Sequence, residues 1–554
     1  HEVVWARSAT VDGVTATDTG WNFADLWETV AHQIPDALAQ QQGPRTHDWA
    51  DFNRRANGVA ATLLADPGAA EQDKVAQYLY NSPEYLESVF AAFKAGFAVV
   101  NTNYRYAADE LVYLWDNADA TAVVFHGTFA DQCEKVRDRV PKVRTWLWVD
   151  DGSGPCPDWA VRYEDAALAG TDENIEGPWG RSGDHLLLLY TGGTTGMPKG
   201  VMWRQDDLFG VLDANNKKRL PPEQDLDAVA DRITKAGPRN MPAAPLMHGT
   251  GLFNAISNLM IGGSITTMEG RHFSAEEFLD DVQAYGIKST SIVGDAFAKP
   301  ILRALDAEPD RWDISTLRVI VSSGVMWSKE TKEGLLRHNP RLIMVDSLGS
   351  SEAIGMATNT TTSESSGETA KFELSPTSRV VTDDGRDVVP GSGELGRVAL
   401  RGRTPIGYYK DEAKSAQTFV VIDGERYSIP GDYATVEADG TVNLLGRGSQ
   451  CINTGGEKVY PEEVEECLKL HPSVADAAVV GVPDDKWGEA ITALVEPHAG
   501  DVVDSAALIA HVKGRLAAYK APKRVIAVTS IGRAANGKLD YKKLRSDAMA
   551  EPAV

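Results

Sequence analysis

Short apolar runs alternate with helical stretches along most of the chain. Residues 88–97 have the spacing of a helix, whereas 98–100 and 122–125 are typical of short buried strands. Apolar strands that alternate with helices predict parallel sheets in an α/β architecture. The pattern begins near Trp21, after a weakly patterned start rich in Thr, Asp and Gly.

The pattern changes near the C-terminal end. Two apolar runs, 433–437 and 441–445, flank Asp439-Gly440, which is a strong hairpin signal. Gly446-Arg447-Gly448-Ser449 then interrupts the pattern, and about 105 residues of compact α+β pattern follow, enough for a small domain. We therefore expect a large multi-sheet N-terminal domain over 1–446 and a small, mobile α+β domain over 449–554.

A Gly- and Thr-rich segment follows one of the predicted strands. The strand HLLLLY at 185–190 leads directly into TGGTTGMPKG at 191–200. Glycines let the backbone approach a ligand closely, and hydroxyl and backbone N–H groups can donate to phosphate oxygens. Lys199 adds a positive charge. The segment predicts a phosphate-binding loop, but not a Walker A loop, because Pro198 precedes Lys199 and Gly200 follows it.

Charge and cysteine content limit the partners and the cellular location that the sequence favours. The formal net charge is −24, from 55 Lys+Arg against 79 Asp+Glu, which disfavours nucleic acid and anionic membranes. No apolar stretch is long enough to span a bilayer, and the first residues do not have the pattern of a signal peptide. The four cysteines match no zinc motif, and reduced cysteines fit a cytoplasmic protein. The sequence leaves a homodimer open.

The segment 190–200, YTGGTTGMPKG, resembles the signature loop of the adenylate-forming superfamily, which includes acyl-CoA synthetases, peptide-synthetase adenylation domains and luciferases. Further segments resemble the family's other motifs in the expected order. They are PLMHG at 245–249, SSG at 322–324, DSLGSSE at 346–352, Gly431-Asp432, Gly446-Arg447 with GGEK at 455–458, and NGK at 536–538. PIGYYKD at 405–411, IPGDYA at 429–434 and INTGGEKVYPEEVE at 452–465 are similar to actinobacterial ligases of fatty and sterol side-chain acids.

The resemblance implies a reaction in two steps. A carboxylic acid and ATP form an acyl-adenylate and pyrophosphate, and CoA then takes the acyl group and releases AMP. The implied co-substrates are ATP and CoA, with Mg²⁺ as the metal ion. The expected acid is a medium or long fatty acid or a sterol side-chain acid, because the small, uncharged residues around 249–264 offer no counter-charge to an amino-acid ammonium.

The resemblance also implies roles for individual residues. Lys538 would stabilise the charge that forms during adenylation, Glu352 would bind Mg²⁺, and His248 would orient the carboxylate. The implied nucleotide- and CoA-binding residues are Thr191, Gly192, Gly193, Thr194, Thr195, Gly196, Lys199, Ser323, Gly324, Asp346, Gly349, Ser350, Ser351, Asp432, Arg447, Gly456 and Lys458.

The chain departs from the family pattern at three positions. Ser449 stands at the pivot, where the family has Asp or Lys. Leu348 replaces an aromatic residue, which leaves less area for stacking on adenine, and Ser351 replaces Thr but keeps the hydroxyl. Three alternatives stay open: an enzyme that loads a carrier-protein thiol, a nucleotide-binding regulatory module without turnover, and a luciferase-like oxygenase, which no distinctive feature supports.

Overall fold

The computed structural model describes residues 20–193, 196–214, 216–324, 327–365, 371–447, 452–454, 457–484, 488–516, 518–534, 537 and 539–550. Its α-helices are α1 (Phe23–Gln33), α2 (Trp49–Leu64), α3 (Pro83–Lys94), α4 (Ala108–Asn117), α5 (Ala130–Arg137), α6 (Tyr163–Leu168), α7 (Gln205–Asp213), α8 (Leu226–Arg232), α9 (Gly249–Leu259), α10 (Ala275–Tyr285), α11 (Asp295–Ala307), α12 (Lys329–His338), α13 (Glu412–Thr418), α14 (Pro461–Lys469), α15 (Ser505–Lys513) and α16 (Tyr541–Ala550).

The strands of the N-terminal half come mostly between these helices. They are β1 (Leu38–Gln42), β2 (Arg45–Asp48), β3 (Lys74–Tyr78), β4 (Ala98–Asn101), β5 (Ala120–His126), β6 (Thr145–Val149), β7 (Val161–Arg162), β8 (Leu186–Gly193), β9 (Gly196–Arg204), β10 (Arg239–Pro242), β11 (Ser264–Thr266), β12 (Ser289–Ile292), β13 (Val319–Ser323) and β14 (Ile343–Ser350).

The remaining strands form hairpins and the C-terminal sheet. They are β15 (Ala353–Thr361), β16 (Lys371–Leu374), β17 (Ser378–Val381), β18 (Gly396–Arg401), β19 (Gly407–Tyr408), β20 (Phe419–Ile422), β21 (Glu425–Ser428), β22 (Asp432–Val436), β23 (Val442–Arg447), β24 (Ile452–Thr454), β25 (Glu457–Val459), β26 (Val474–Asp484), β27 (Gly488–Pro497) and β28 (Arg524–Ala527).

Within the described residues these strands form three sheets. The order of one is β2-β1-β11-β10-β12-β13-β14-β15-β16-β23-β22-β18-β21-β20, with β17 on β18, and it is parallel from β11 to β14. The second sheet is β19-β9-β8-β4-β3-β5-β6-β7 and the third is β25-β24-β27-β26, with β28 on β27. The predicted α/β class, with a large multi-sheet N-terminal part and a small α+β C-terminal part, is confirmed.

The local pattern accounts for the elements that carry the site. Every residue of β5 is buried, as expected for a strand covered by helices on both faces. The Asp439-Gly440 hairpin joins antiparallel β22 and β23, and Gly440 has a φ of +85°. Pro461 begins α14, where its missing N–H costs no helical hydrogen bond. No helix in the described ranges is long and apolar enough to cross a membrane.

The N-terminal core combines aromatic packing with a buried ionic network. Trp27 packs against Phe52, Phe90 and Phe93 with ring centroids 5.2–6.3 Å apart. Lys94 on α3 is fully buried and donates to the Glu28 carboxylate at 2.5 Å. Buried ions of this kind need such partners, because an unpaired charge in the interior is costly.

Candidate active site

A cleft of about 2100 Å³ opens where strands of both N-terminal sheets end, and the C-terminal part faces the same cleft. Carboxyl ends of parallel strands are the usual ligand sites of α/β proteins. Most of the residues predicted from sequence line it: Thr191, Lys199, His248, Ser323, Gly324, Asp346, Gly349, Ser350, Ser351, Glu352 and Asp432. Its volume exceeds that of a typical single-ligand pocket, so it has room for a nucleotide together with an acid.

The other predicted residues are described in part or not at all. Gly192 and Gly193 lie in β8, Gly196 begins β9, Arg447 ends β23 and Lys458 lies in β25. Four predicted residues and the pivot Ser449 lie outside the described residues. The four are Thr194, Thr195, Gly456 and Lys538.

Strands β8 and β9 hold the predicted phosphate-binding segment. They pair antiparallel with Thr191 opposite Lys199 and Gly193 opposite Gly196. The Lys199 ammonium forms an ion pair with Asp411, and this hydrogen bond lowers the pKa of the Asp411 carboxyl. Lys199 therefore stands at the wall of the cleft with its charge partly balanced, in an otherwise strongly anionic protein.

Glu352 sits in the tight hairpin between β14 and β15, in which Ser350 pairs with Ala353. Its side chain is 8% exposed, and its Oε1 accepts a hydrogen bond of 2.8 Å from the Tyr408 hydroxyl. Ser428 Oγ donates to the Glu352 carbonyl at 2.7 Å. The carboxylate is therefore held at one place on the cleft wall.

The neighbouring residues of this hairpin are also fixed from outside. Trp203 of β9 donates its indole N–H to the Ser351 carbonyl at 2.9 Å, which ties the two N-terminal sheets together at the hairpin. The sequence analysis did not assign a role to Trp203 or to Tyr408. Tyr408 lies in the PIGYYKD segment, and a tyrosine in a family-like motif was the available signal.

Asp346 lies on β14 and is 5% exposed. Its Oδ2 lies 3.6 Å from Lys332 Nζ of α12. Burial raises the pKa of the Asp346 carboxyl to about 7, against the opposing effect of Lys332, and the charges of Asp295 and Glu466 add to the rise. Lys332 is a further residue that sequence reasoning missed.

A buried asparagine joins the phosphate segment to His248. Asn101 Nδ2 donates to the Tyr190 carbonyl at 2.9 Å and to the Met247 carbonyl at 2.7 Å, and its Oδ1 accepts from Tyr190 N at 2.6 Å. His248 is the residue immediately before α9. Asn101 therefore sets the distance between the end of β8 and the start of α9.

Two backbone turns shape the rest of the cleft. Gly324 follows β13 with a φ of +93°, and Gly431 precedes Asp432 with a φ of +104°, in the region that favours glycine. Asp432 begins β22, is 6% exposed, and faces Arg447 across the β22–β23 ladder. These turns let Ser323 and Asp432 face the cleft from different strands.

The C-terminal part contributes its own wall. Glu462, Glu466 and Lys469 of α14 line the cleft. Gly537 and Leu539, the neighbours of Lys538 in sequence, also line it. These two described neighbours of the predicted catalytic lysine therefore reach the cleft.

Comparison with protein families identifies the family of the chain. The family model described as AMP-binding enzyme matches residues 27–409, and the model described as AMP-binding enzyme C-terminal domain matches residues 463–538. The chain therefore belongs to the AMP-binding enzyme family. Its relatives are AMP-forming acid–thiol ligases, so the activity expected from the sequence, acyl-CoA ligation through an adenylate, is confirmed.

Two relatives illustrate the similarity. The chain is 40% identical over 543 residues to a medium/long-chain-fatty-acid–CoA/3-oxocholest-4-en-26-oate–CoA ligase of Mycobacterium tuberculosis, covering 96% of this chain and 97% of the relative. It is 39% identical over 547 residues to a 3-oxocholest-4-en-26-oate–CoA ligase of Rhodococcus rhodochrous, with the same two shares covered.

Solved structures support the fold. The anthranilate CoA ligase AuaEII in complex with anthranoyl-AMP superposes with a TM-score of 0.81 at 23% identity, covering 96% of this chain and 98% of that one. ATP-bound MatB from Rhodopseudomonas palustris superposes with a TM-score of 0.77 at 25% identity, covering 96% and 99%. Both matches extend through the N- and C-terminal parts.

Proposed function

We propose that this ligase activates a medium- or long-chain fatty acid or a sterol side-chain acid, and that one continuous cleft holds the acid beside ATP. The observation that carries the proposal is the continuity of the cleft. It joins the Glu352 hairpin and Asp432 to an arm between α7 and α9 that begins at His248. The relatives named for such acids support the choice of acid.

The nucleotide would lie across the ends of β8, β13, β14 and β22. The β8–β9 segment, with Thr191 and Lys199, would bind the β- and γ-phosphates. Ser323–Gly324 and Asp346 would lie against the adenine, and Asp432 would accept hydrogen bonds from the ribose hydroxyls. Lys199 supplies the local positive charge that an anionic substrate needs in a protein of net charge −24.

Mg²⁺ would be held at Glu352. The ion prefers oxygen ligands and is commonly bound by one or two carboxylates together with substrate phosphates and water. Glu352 offers a fixed carboxylate on the cleft wall, with Tyr408 bonded to one of its oxygens, and this donor set suits the ion. When bound, Mg²⁺ neutralises charge on the phosphates. The residues of the chain position it and keep the carboxylate in place.

The first step would bring the acid carboxylate to the α-phosphate, beside His248 at the start of the acyl arm. Lys538 would stabilise the charge that accumulates there, since fixed cations aimed at developing charge are among the strongest contributions to catalysis. In the second step the CoA thiol would attack the adenylate, with Gly456 and Lys458 near the incoming CoA. The named relatives are CoA ligases, which favours CoA over a carrier-protein thiol.

Carboxylate-dependent exchange of pyrophosphate into ATP, measured without CoA, tests the proposal. Fatty acids of graded length and sterol side-chain acids should support exchange, and adding CoA should yield acyl-CoA, AMP and pyrophosphate. Release of ADP and phosphate would overturn the adenylate route. Acetate or a free amino acid as much the best substrate would overturn the acid class.

Two further expectations belong to the same proposal. A cytoplasmic location is consistent with the free cysteines Cys133, Cys156 and Cys467. A homodimer stays a prediction.

A further inference from the structure

The acyl arm of the cleft lies between α7 and α9. Its near end is His248, directly before α9. Arg232, which is not part of the cleft lining, donates to Asp213 Oδ1 at 2.7 Å and to the Met260 carbonyl at 2.8 Å, and so ties the C-terminal ends of α7 and α9 together. Arg232 also donates to the Lys218 carbonyl at 3.2 Å, which holds the segment after α7 beside these helix ends.

The two helices line this arm with different chemistry. Helix α7 contributes Val211 and Leu212, whereas α9 contributes Thr250, Asn254 and Ser257 and, on the same face, the apolar Phe253. Positions four and three residues apart lie on one face of a helix. We call Thr250, Asn254 and Ser257 the polar face of α9; the opposite face is buried and largely apolar, with Leu252, Ala255, Ile256 and Leu259.

The polar face has unused hydrogen-bonding groups. Asn254 Oδ1 accepts from Asn240 Nδ2 at 2.9 Å, which orients the amide and leaves its own Nδ2 as a donor. Across the ranges that the structure describes, this Nδ2 and the hydroxyls of Thr250 and Ser257 have no hydrogen-bond partner. Asn216 and the exposed Arg219 also line the cleft beyond α7.

A plain hydrocarbon chain would cover these groups without satisfying them. A covered polar group that lacks a hydrogen-bond partner is destabilising, so a fatty chain alone would leave all three of these groups unsatisfied. An acid that carries an oxygen atom at the right depth would instead accept from them. With a rise of about 1.5 Å per residue, Asn254 lies about 9 Å and Ser257 about 13 Å along the helix from His248.

We propose that the polar face of α9 selects acids whose apolar body carries a neutral oxygen, a ketone or a hydroxyl, about 10 Å or more from the carboxylate. This inference rests on the proposed function and refines its substrate class. Asn254 is the central specificity residue, because its Nδ2 can only donate and its orientation is fixed by Asn240. Val211 and Leu212 pack against the apolar body.

The test compares two acids with the same skeleton. One is a tetracyclic side-chain acid with a ring ketone remote from the carboxylate, and the other is the same acid with a methylene in place of the ketone. Sites built to bond a substrate oxygen discriminate strongly against analogues that lack it. We expect kcat/KM of the unaltered protein to favour the ketone by roughly tenfold or more.

Two substitutions at one position separate the hydrogen bond from the fold. Asn254→Asp keeps the acceptor for Asn240 and the side-chain shape but replaces the donor, and Asn254→Leu removes both groups. Each should lower the ketone-to-methylene ratio about tenfold, the effect of one hydrogen bond of about 1.4 kcal/mol. Val211→Ala is the matched control, since it removes only apolar contact and should lower kcat/KM for both acids in the same proportion.

Each remaining outcome has a definite meaning. Equal kcat/KM for the two acids with the unaltered protein, or an unchanged ratio in both Asn254 variants, would overturn the inference and leave the ligase assignment intact. A marked preference for an acid with a second, remote carboxylate would overturn it in favour of Arg219. Failure of every fatty and tetracyclic acid to support pyrophosphate exchange would instead contradict the proposed function.

Discussion

At the scale of single residues, the carboxylate of Glu352 depends on a neighbour that is 56 positions away in sequence. Glu352→Gln should lower kcat/KM by roughly a hundredfold or more, because the site loses a charge needed around the triphosphate. Tyr408→Phe leaves the carboxylate but frees it to move, and should cost about 10–100-fold.

Titration with Mg²⁺ distinguishes the two variants. High Mg²⁺ should restore much of the activity of Tyr408→Phe, since its ligand is present but badly held, and should restore little in Glu352→Gln. Urea midpoints equal to that of the unaltered protein would exclude unfolding as the cause. Normal activity of Glu352→Gln at limiting Mg²⁺ would reject Glu352 as the ligand.

The buried Asp346 makes stability depend on pH. Burial raises its folded pKa to about 7 from the ordinary value of 3.8, so the folded state holds a proton that the unfolded state releases between these values. Its contribution is therefore present at low pH and is lost as pH rises toward 7. Asp346→Asn removes this loss.

Urea denaturation at pH 5 and pH 8 tests whether the stability contribution of Asp346 is lost as pH rises. The urea midpoint of Asp346→Asn minus that of the unaltered protein should be larger at pH 8 than at pH 5. A difference that does not change with pH would mean that Asp346 is already ionised at pH 5 in the folded protein.

The predicted site residues came from local motifs, and the residues that hold them did not. Asn101, Lys332 and Tyr408 act on segments 89, 14 and 56 positions away, where only the tertiary fold brings them together. Lys332 illustrates the difficulty: in sequence it is one of several charged residues on a helix with an exposed polar pattern, yet its side chain is 1% exposed.

At the scale of elements, hydrophobic periodicity predicted the individual strands better than their partners. The short runs that became β4 and β5, the hairpin between β22 and β23, and the order of elements in the C-terminal part follow from local pattern. The pairing of β16 with β23 joins residues about seventy positions apart. Such pairings depend on cross-strand and core packing rather than on the strands alone.

The turn after β13 allows a prediction at this scale. A Cβ at Gly324 would have space, its nearest neighbour being Val293 Cγ1 at 3.8 Å, but the φ of +93° is unfavourable for alanine. Gly324→Ala should therefore cost about 1–3 kcal/mol of stability and raise the KM for ATP. Gly385→Ala is a matched control, with a φ of +87° and a nearest atom at 3.6 Å.

Gly385 lies outside the cleft lining, so its substitution should cost similar stability without changing the KM for ATP. Urea midpoints and ATP-dependent pyrophosphate exchange measure the two effects. A similar KM increase in both variants would mean that lost stability, rather than the turn beside the nucleotide, limits ATP use.

At the scale of the whole molecule, the prediction concerns the two half-reactions. In one orientation of the small domain Lys538 should reach the carboxylate and α-phosphate; in another it should withdraw as the 455–458 segment meets CoA. Lys538→Ala should abolish adenylate formation and largely spare thioester formation from supplied acyl-AMP. The half-reactions are measured separately, and equal loss in both would assign Lys538 a structural role.

The sequence pattern predicted a separate C-terminal part but not its position against the N-terminal part. Gly446 has a φ of +113°, and a Cβ there would lie 2.1 Å from Glu462 Oε2 of α14. This contact depends on the placement of α14 against β23, which the local pattern of neither element specifies. The domain boundary at 446–449 stays a prediction.

The ladder between β22 and β23 links nucleotide binding to the placement of the small domain. Asp432, the expected ribose contact, stands directly opposite Arg447, the last described residue before the connection to the small domain. If the placement of that domain alters affinity for the nucleotide, the nucleotide must alter the placement by the same free energy. Release of AMP would then favour the return of the small domain to its starting orientation. Measuring AMP release and measuring the orientation of the small domain would report on the same equilibrium.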